Sequence, residues 1–188
     1  FQQVTRVVRA NNENRWENDV EHSYGLAMLA WYLTEGNPGL NRDLVLKYAL
    51  VHDFVEVYAG DTYIYTTDEK AKNNKKSREK KAAARLRKEL PEFKELNKLI
   101  HKYEERNDEE SRFVYALDKI QPILNIYLDG GRTWKEKGIT IQMLIDHKKD
   151  KVTLSPDVAS CFDELVVLLR KHERRLFNKK QTSRRICV

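Results

Sequence analysis

An all-α fold is predicted by three features of this 188-residue chain. Apolar residues recur at three- and four-residue spacing over most of its length. No long stretch alternates with period two, and only seven glycines and four prolines punctuate the chain. The first expected helix opens at Asn18 or Asp19, either of which can cap it. It carries Leu26, Leu29, Ala30 and Leu33 on one stripe and stops at Gly36-Asn37-Pro38-Gly39. Asn41 opens a second, expected to run to about Tyr58 before Gly60. A long basic helix follows from about Asp68 to Leu90, where Pro91 breaks it. Shorter helices are expected over Pro91 to Glu104, Asp108 to Leu128, Thr140 to Lys149, and Ser155 to about Phe177, the last with a proline at its first position. No internal repeat or linker appears, so a single domain over residues 1–178 is expected, with a basic tail over 179–188.

The bulk properties exclude several classes. The longest apolar run, Tyr24 to Leu33, is far short of the roughly 18 residues a membrane span needs. No signal-peptide pattern is visible, and a chain opening on Phe1 need not contain its true start. Cys161 and Cys187 show no paired spacing, which fits a reducing cytoplasm. The net charge of +6 is unevenly spread: residues 70–88 hold ten Lys/Arg against Glu79 alone, and residues 170–185 hold eight against Glu173 alone. The remainder of the chain is therefore acidic. Those basic runs lack interleaved aromatics, so solvated helix faces are expected rather than a nucleic-acid surface.

The chemistry lies in LVHDFVEVYAGD, residues 50–61. His52 and Asp53 are adjacent, and Glu56 falls four residues after His52, on the same face of a continuous helix. Burying such groups without partners costs several kcal/mol each, on the order of the usual desolvation penalty. A divalent metal ion is the economical partner. Imidazole with carboxylate suits manganese, cobalt or iron, and magnesium or zinc remain possible. A His-Asp pair alone is weak support. Two other segments strengthen it: VEHSYG places His22 at the mouth of the first apolar helix, and FVYALDKIQPIL places Asp118 between apolar neighbours. Bundles build metal sites from facing helices in this way. Pro122 removes the helical donor for the Asp118 carbonyl, so a kink is expected there.

The segments RWENDVEHS, ALVHDFVEVYAGD, ESRFVYALDKIQP and LDGGRTWKEKGIT resemble the HD-domain metal-dependent phosphohydrolases, in particular the subgroup that includes the 5′-deoxynucleotidases. The resemblance runs from about Val4 to Leu168. It implies an HD-domain helical bundle in which His22, His52, Asp53 and Asp118 are the metal ligands. Glu56 and Asp61 match the family's acids that act beside the metal in positioning water or substrate and in proton transfer. It also implies a nucleotide substrate and a homodimer. The family carries an Arg-Trp pair well ahead of the first histidine, whose arginine meets phosphate. Here Arg6-Val7 stands near that place, while the one Arg-Trp pair, Arg15-Trp16, lies just before His22. Arg6 is the first candidate for phosphate and Arg15 the second, because a guanidinium can form two parallel hydrogen bonds to it.

The leading expectation is a phosphomonoesterase acting on deoxynucleoside 5′-monophosphates. Its rivals are a deoxynucleoside triphosphohydrolase with the same centre, and a non-catalytic module that binds polyanions through the basic helices. His101, His147 and His172 lie in polar surroundings and are read as surface residues, as are Glu104 and Glu105. Asp68 and Glu69 read as helix-start acids, Trp31 and Tyr32 as core, and Trp134 as a loop plug.

Overall fold

The computed structural model describes residues 1–178 apart from 64 and 67; the expected basic tail and Cys187 lie outside the described residues. The chain begins with a short antiparallel hairpin, β1 (Thr5–Arg9) and β2 (Trp16–Asn18), which the helical pattern did not announce. It is brief, and its backbone hydrogen bonds close locally. Asn18 ends it and caps α1 (Asp19–Thr34): its side chain accepts from the Val20 and Glu21 amides, and Glu21 returns to the Asn18 amide at 3.0 Å. This reciprocal capping leaves the Asp19 carboxylate free for other use.

Helices α1 and α2 (Arg42–Val51) pack together, and both lie on the long α6 (Glu109–Leu128). Leu26 and Ala30 from α1, Val45, Tyr48 and Ala49 from α2, and Val114 and Leu117 from α6 are almost fully buried there. On its other sides α6 meets α8 (Ile141–Val152) and α9 (Pro156–Lys171), whose Leu165 and Leu169 complete the main core. Pro122 sits within α6, buried, and the helix continues through it to Leu128 rather than ending. The short α7 (Arg132–Glu136) and α10 (Glu173–Leu176) are in contact, and Trp134, expected as a loop plug, instead lies within α7, buried in the main core and stacked on Phe177 at 4.6 Å. Gly131 is required there: its φ is +76°, and a Cβ would meet the Leu176 carbonyl oxygen at 2.1 Å.

The expected continuous helix from Asn41 to Tyr58 is corrected. It ends at Val51, turns through His52 to Val55, and resumes as the single turn α3 (Glu56–Ala59). The reason is that this segment serves two cores. Tyr48 and Ala49 face the main one, whereas Val55 and Ala59 join Ala82 and Leu86 of α4 (Glu69–Glu89) and Leu96 and Ile100 of α5 (Lys94–Glu105) in a second cluster. A straight helix cannot present both sets. Trp31 and Tyr32 are also corrected: they are 47% and 74% exposed, because α1 turns the stripe of His22, Leu26 and Ala30 inward.

Candidate metal centre

Three helices deliver four ligand atoms to one buried spot. His22 stands in the first turn of α1, His52 and Asp53 occupy the turn that ends α2, and Asp118 lies mid-way along α6. One ligand atom from each falls within 4.8 Å of the others. The His22 Nε2 lies 3.1 Å from His52 Nε2, 3.0 Å from Asp118 Oδ1 and 3.7 Å from Asp53 Oδ2. The His52 Nε2 lies 3.0 Å from Asp53 Oδ2. The break in the helix, absent from the sequence reading, is what turns Asp53 toward the histidines.

The outer nitrogens decide what this cluster can hold. His52 Nδ1 is 2.9 Å from the Ala49 carbonyl, an obligatory acceptor, and so carries the proton that it donates there. His22 Nδ1 is 2.8 Å from Gln121 Oε1 and donates likewise. In the neutral rings both inner Nε2 atoms face each other and two carboxylates; burial opposes protonation of His52, but Asp53 outweighs it and raises His52 above the ordinary imidazole value, a proton that a bound cation would displace. Four Lewis bases around one point, each histidine fixed by an outer acceptor, form a donor set suited to a divalent cation. Burial, together with the positive charge of Arg6, pushes His22 down to about 4, which keeps its imidazole neutral and able to ligate. Burial works against the Asp118 charge, but Lys119 and the histidines outweigh it and hold this carboxylate well below its ordinary value.

A second group of acids adjoins the first. Asp19 and Glu56, both buried, bring carboxylate oxygens within 4.8 Å of each other and of Asp53. Burial, only partly relieved by Arg6, pushes Asp19 up to about 7. Burial reinforced by Asp53 and Asp61 pushes Glu56 up to about 9. The Glu56 Oε2 and both Asp19 oxygens are buried without a hydrogen-bond partner. Gly60, at φ +72° and ψ 150°, occupies a backbone region essentially reserved for glycine and turns Asp61 back beside this cluster. Burial raises Asp61 also.

Arg6 enters from β1 and ties the acids together. Its Nη1 donates to Asp53 Oδ2 at 2.7 Å and lies 3.5 Å from Asp19 Oδ1, with Glu17 3.8 Å from Nε. Arg15 is not brought to the site. Its guanidinium grips Glu13 and Glu21 at the surface, at 2.6 Å and 2.5 Å, and thereby supports the α1 cap. Asp61, Asp118 and Arg6 all line a cavity bounded by β1, residues 61–63 and Tyr65, α6, α7 and α8.

Several contributors were missed in the sequence. Gln121, one turn after Asp118, orients His22. Gly25 makes room for it, since a Cβ there would meet the Gln121 amide nitrogen at 2.9 Å. The signal was present: a glutamine among apolar residues on the inner face of α6 needs a buried partner. The basic α4 is also not wholly a solvated face. Arg78 donates to the Ala59 carbonyl at 2.8 Å and to Thr62 Oγ1 at 2.5 Å, clamping the loop that carries Asp61. Lys75 lies 3.8 Å from Glu56. His101 and His147 are both exposed as expected, and His147 also packs edge-on against Tyr65 at 4.7 Å.

A helical bundle that converges His, His-Asp and Asp from three helices defines the HD-domain arrangement, and the chain belongs to that family: the family model described as "HD domain" matches residues 1–158. Among individual proteins, the chain is 35% identical over 128 residues to the 5′-deoxynucleotidase HDDC2 of Mus musculus, a match covering 65% of this chain and 62% of that protein. The Homo sapiens 5′-deoxynucleotidase HDDC2 is equally similar, with 61% of its length covered. The 5′-deoxynucleotidase hdd1 of Schizosaccharomyces pombe is 26% identical over 117 residues, covering 59% of this chain and 57% of that protein. The chain thus spans about three fifths of the length of the curated relatives it matches. The crystal structure of a predicted metal-dependent phosphohydrolase from Magnetospirillum magnetotacticum superposes with a TM-score of 0.79 at 31% identity, covering 94% of this chain and 89% of that one. No helix among the described residues is long and apolar enough to cross a membrane.

Proposed function

We propose that this chain is a metal-dependent phosphomonoesterase that removes phosphate from deoxynucleoside 5′-monophosphates. The observation that carries the reading is the convergence of two imidazole Nε2 atoms, Asp53 and Asp118 on one buried point, with Asp118 also lining a cavity that carries Arg6, Lys119 and Lys148. The names of its relatives supply the substrate class. His22, His52, Asp53 and Asp118 are the ligands of one divalent ion, with manganese, cobalt or iron favoured by the donor set over magnesium or zinc. The chemistry such an ion supplies is activation of water and screening of phosphate charge.

The chain's own groups do the rest. Arg6 lines the cavity with its Nε buried and without a hydrogen-bond partner, which leaves a donor for a phosphate oxygen. Glu56 takes the proton of the attacking water. Its value near 9 keeps it protonated at neutral pH without a cation, and positive charge in the adjoining cluster would lower that value toward neutrality, where a general base works best. Asp61 steadies the leaving 5′-oxygen or its proton. Arg15 serves the α1 cap and remains the second choice for phosphate. The assembly is proposed as a cytoplasmic homodimer of one domain over residues 1–178, with a basic tail beyond. The dimer follows the family resemblance and is checked by light scattering.

The test is a panel of mono- and triphosphates incubated with manganese or cobalt. Inorganic phosphate from monophosphates alone is expected. Release of triphosphate instead would replace this reading with a triphosphohydrolase, and no product together with no metal uptake would return the chain to a binding module.

A further inference from the structure

The inner stripe of α8 reads Ile141, Leu144, Lys148, Val152, at the three- and four-residue spacing of a buried helix face. Its third member is a lysine. Lys148 is 6% exposed, as buried as the apolar residues around it, and it lines the same cavity as Arg6, Asp61 and Asp118. A buried ammonium is ordinarily met by a carboxylate, because leaving it unpaired costs several kcal/mol, on the order of the desolvation penalty.

No such partner meets it among the described residues. The cavity wall carries three cations and two acids. Arg6 is held by Asp53, with Asp19 and Glu17 close by. Lys119 is engaged by Asp118. Lys148 has neither hydrogen bond nor ion pair to any described residue, and the rest of the wall is mainly apolar, including Val8, Ile123, Leu144 and Trp134. The charged groups that act on its ammonium are Lys119 and Asp118 of α6, Lys151 of its own helix and Arg6 of β1. Three of these four lie in or beside the candidate metal centre. With Arg6 counted against Asp53 and Lys119 against Asp118, Lys148 is the cation of the cavity wall that has no acid in contact among the described residues.

We infer that Lys148 is an anion-binding residue of this cavity, donating from Nζ to a phosphate oxygen. The inference rests on the phosphohydrolase reading for the identity of the anion, and on the unpaired buried lysine for the site itself. A dianionic phosphate supplies the missing partner, which an uncharged ligand would not. Burial and the repulsion of Lys119 push the unliganded ammonium down to about 7, consistent with a group whose counter-ion arrives from outside. Two cations approaching phosphate from β1 and from α8 would also fix its orientation, since each donor fixes a different oxygen.

Inorganic phosphate is the probe, titrated by calorimetry into manganese-loaded wild type, Lys148→Met and Lys148→Arg. The expected result is about tenfold weaker phosphate binding in Lys148→Met, the loss of one charge-assisted hydrogen bond. Most of the affinity should return in Lys148→Arg. Manganese stoichiometry should stay unchanged in both, and so should affinity for an uncharged deoxynucleoside. Equal phosphate affinity in wild type and Lys148→Met overturns the inference, as does wild type that binds no phosphate. Loss of manganese alongside phosphate also overturns it, by making Lys148 a support for the centre. If Lys148→Met does not fold, Lys148→Gln is judged by the same criteria. A wild type that binds phosphate through Lys148 yet hydrolyses no nucleoside monophosphate would remove the substrate reading and leave this site standing.

Discussion

The two ends of this molecule hold similar densities of charge and use them in opposite ways. Along α4, Lys80 points into water and Arg85 pairs with Glu89 one turn away, so these charges are hydrated or locally answered. Between α1, α2 and α6, Asp19, His22, Glu56 and Asp118 are buried, and several of their oxygens have no protein partner. A charge that stays solvated costs little and does little. A charge held in a dry interior without its counter-ion is stable only if a ligand completes it. The contrast separates the basic helices, which suggested polyanion binding, from the cluster proposed to hold the metal.

The comparison is broken most severely at the cluster itself. Replacing His52 and Asp53 together by alanine should abolish metal uptake, read by elemental analysis, and lower phosphate release by on the order of a thousandfold or more. Phosphate release that persists would remove the proposed site. Glu56→Gln is milder: metal content should be retained while kcat falls by about a hundredfold. Equal kcat in this variant would transfer the proton role elsewhere, with Asp61 next in line.

Supporting residues sharpen the contrast. Gly25→Ala pushes the Gln121 amide away from His22 Nδ1, and losing such an outer acceptor should weaken metal binding by about tenfold. Chelator competition measures this, and unchanged affinity would make Gln121 a bystander. Lys148 predicts a pH signature in metal-free, phosphate-free protein. Its folded value of about 7 lies below the ordinary lysine value, so the folded state releases the proton first. Folding then carries the full burial penalty below pH 7, and that penalty fades as pH rises from about 7 toward 10.5. Lys148→Met should exceed wild type in urea midpoint at pH 7, and the gap should narrow by pH 9. A gap constant with pH would mean the lysine is not held as a buried charge. The smallest effect is expected at Lys80→Ala, within about 0.5 kcal/mol of wild type. Arg78→Ala should cost more, because it releases Ala59 and Thr62.

Much of this was legible in the chain. The apolar spacing marked the long helices, and Asn18, Asn41 and Asp108 cap them as side chains of their type do. Histidines and acids interrupting apolar stripes marked His22, His52, Asp53 and Asp118, because period and chemistry conflict at those positions. Glu56 was found for the wrong local reason: it was placed one turn along a helix that in fact ends at Val51. Neither the hairpin nor the turn at His52 to Val55 was legible, since both arise where a short segment must satisfy neighbours distant in sequence.

The sequence by itself determined which residues are candidates for the chemistry, because ionisable side chains at core positions are costly wherever the helix lies. Only the tertiary structure decided how they are used. The capping by Asn18 frees Asp19, and the demand of two separate cores turns Asp53 toward the histidines. The packing of α8 on α6 brings Lys148, thirty residues beyond Asp118, into the cavity that Asp118 also lines. Periodicity is a local property and can flag a residue as misplaced. Which partner answers it depends on through-space proximity, and that is set by the packing of whole helices.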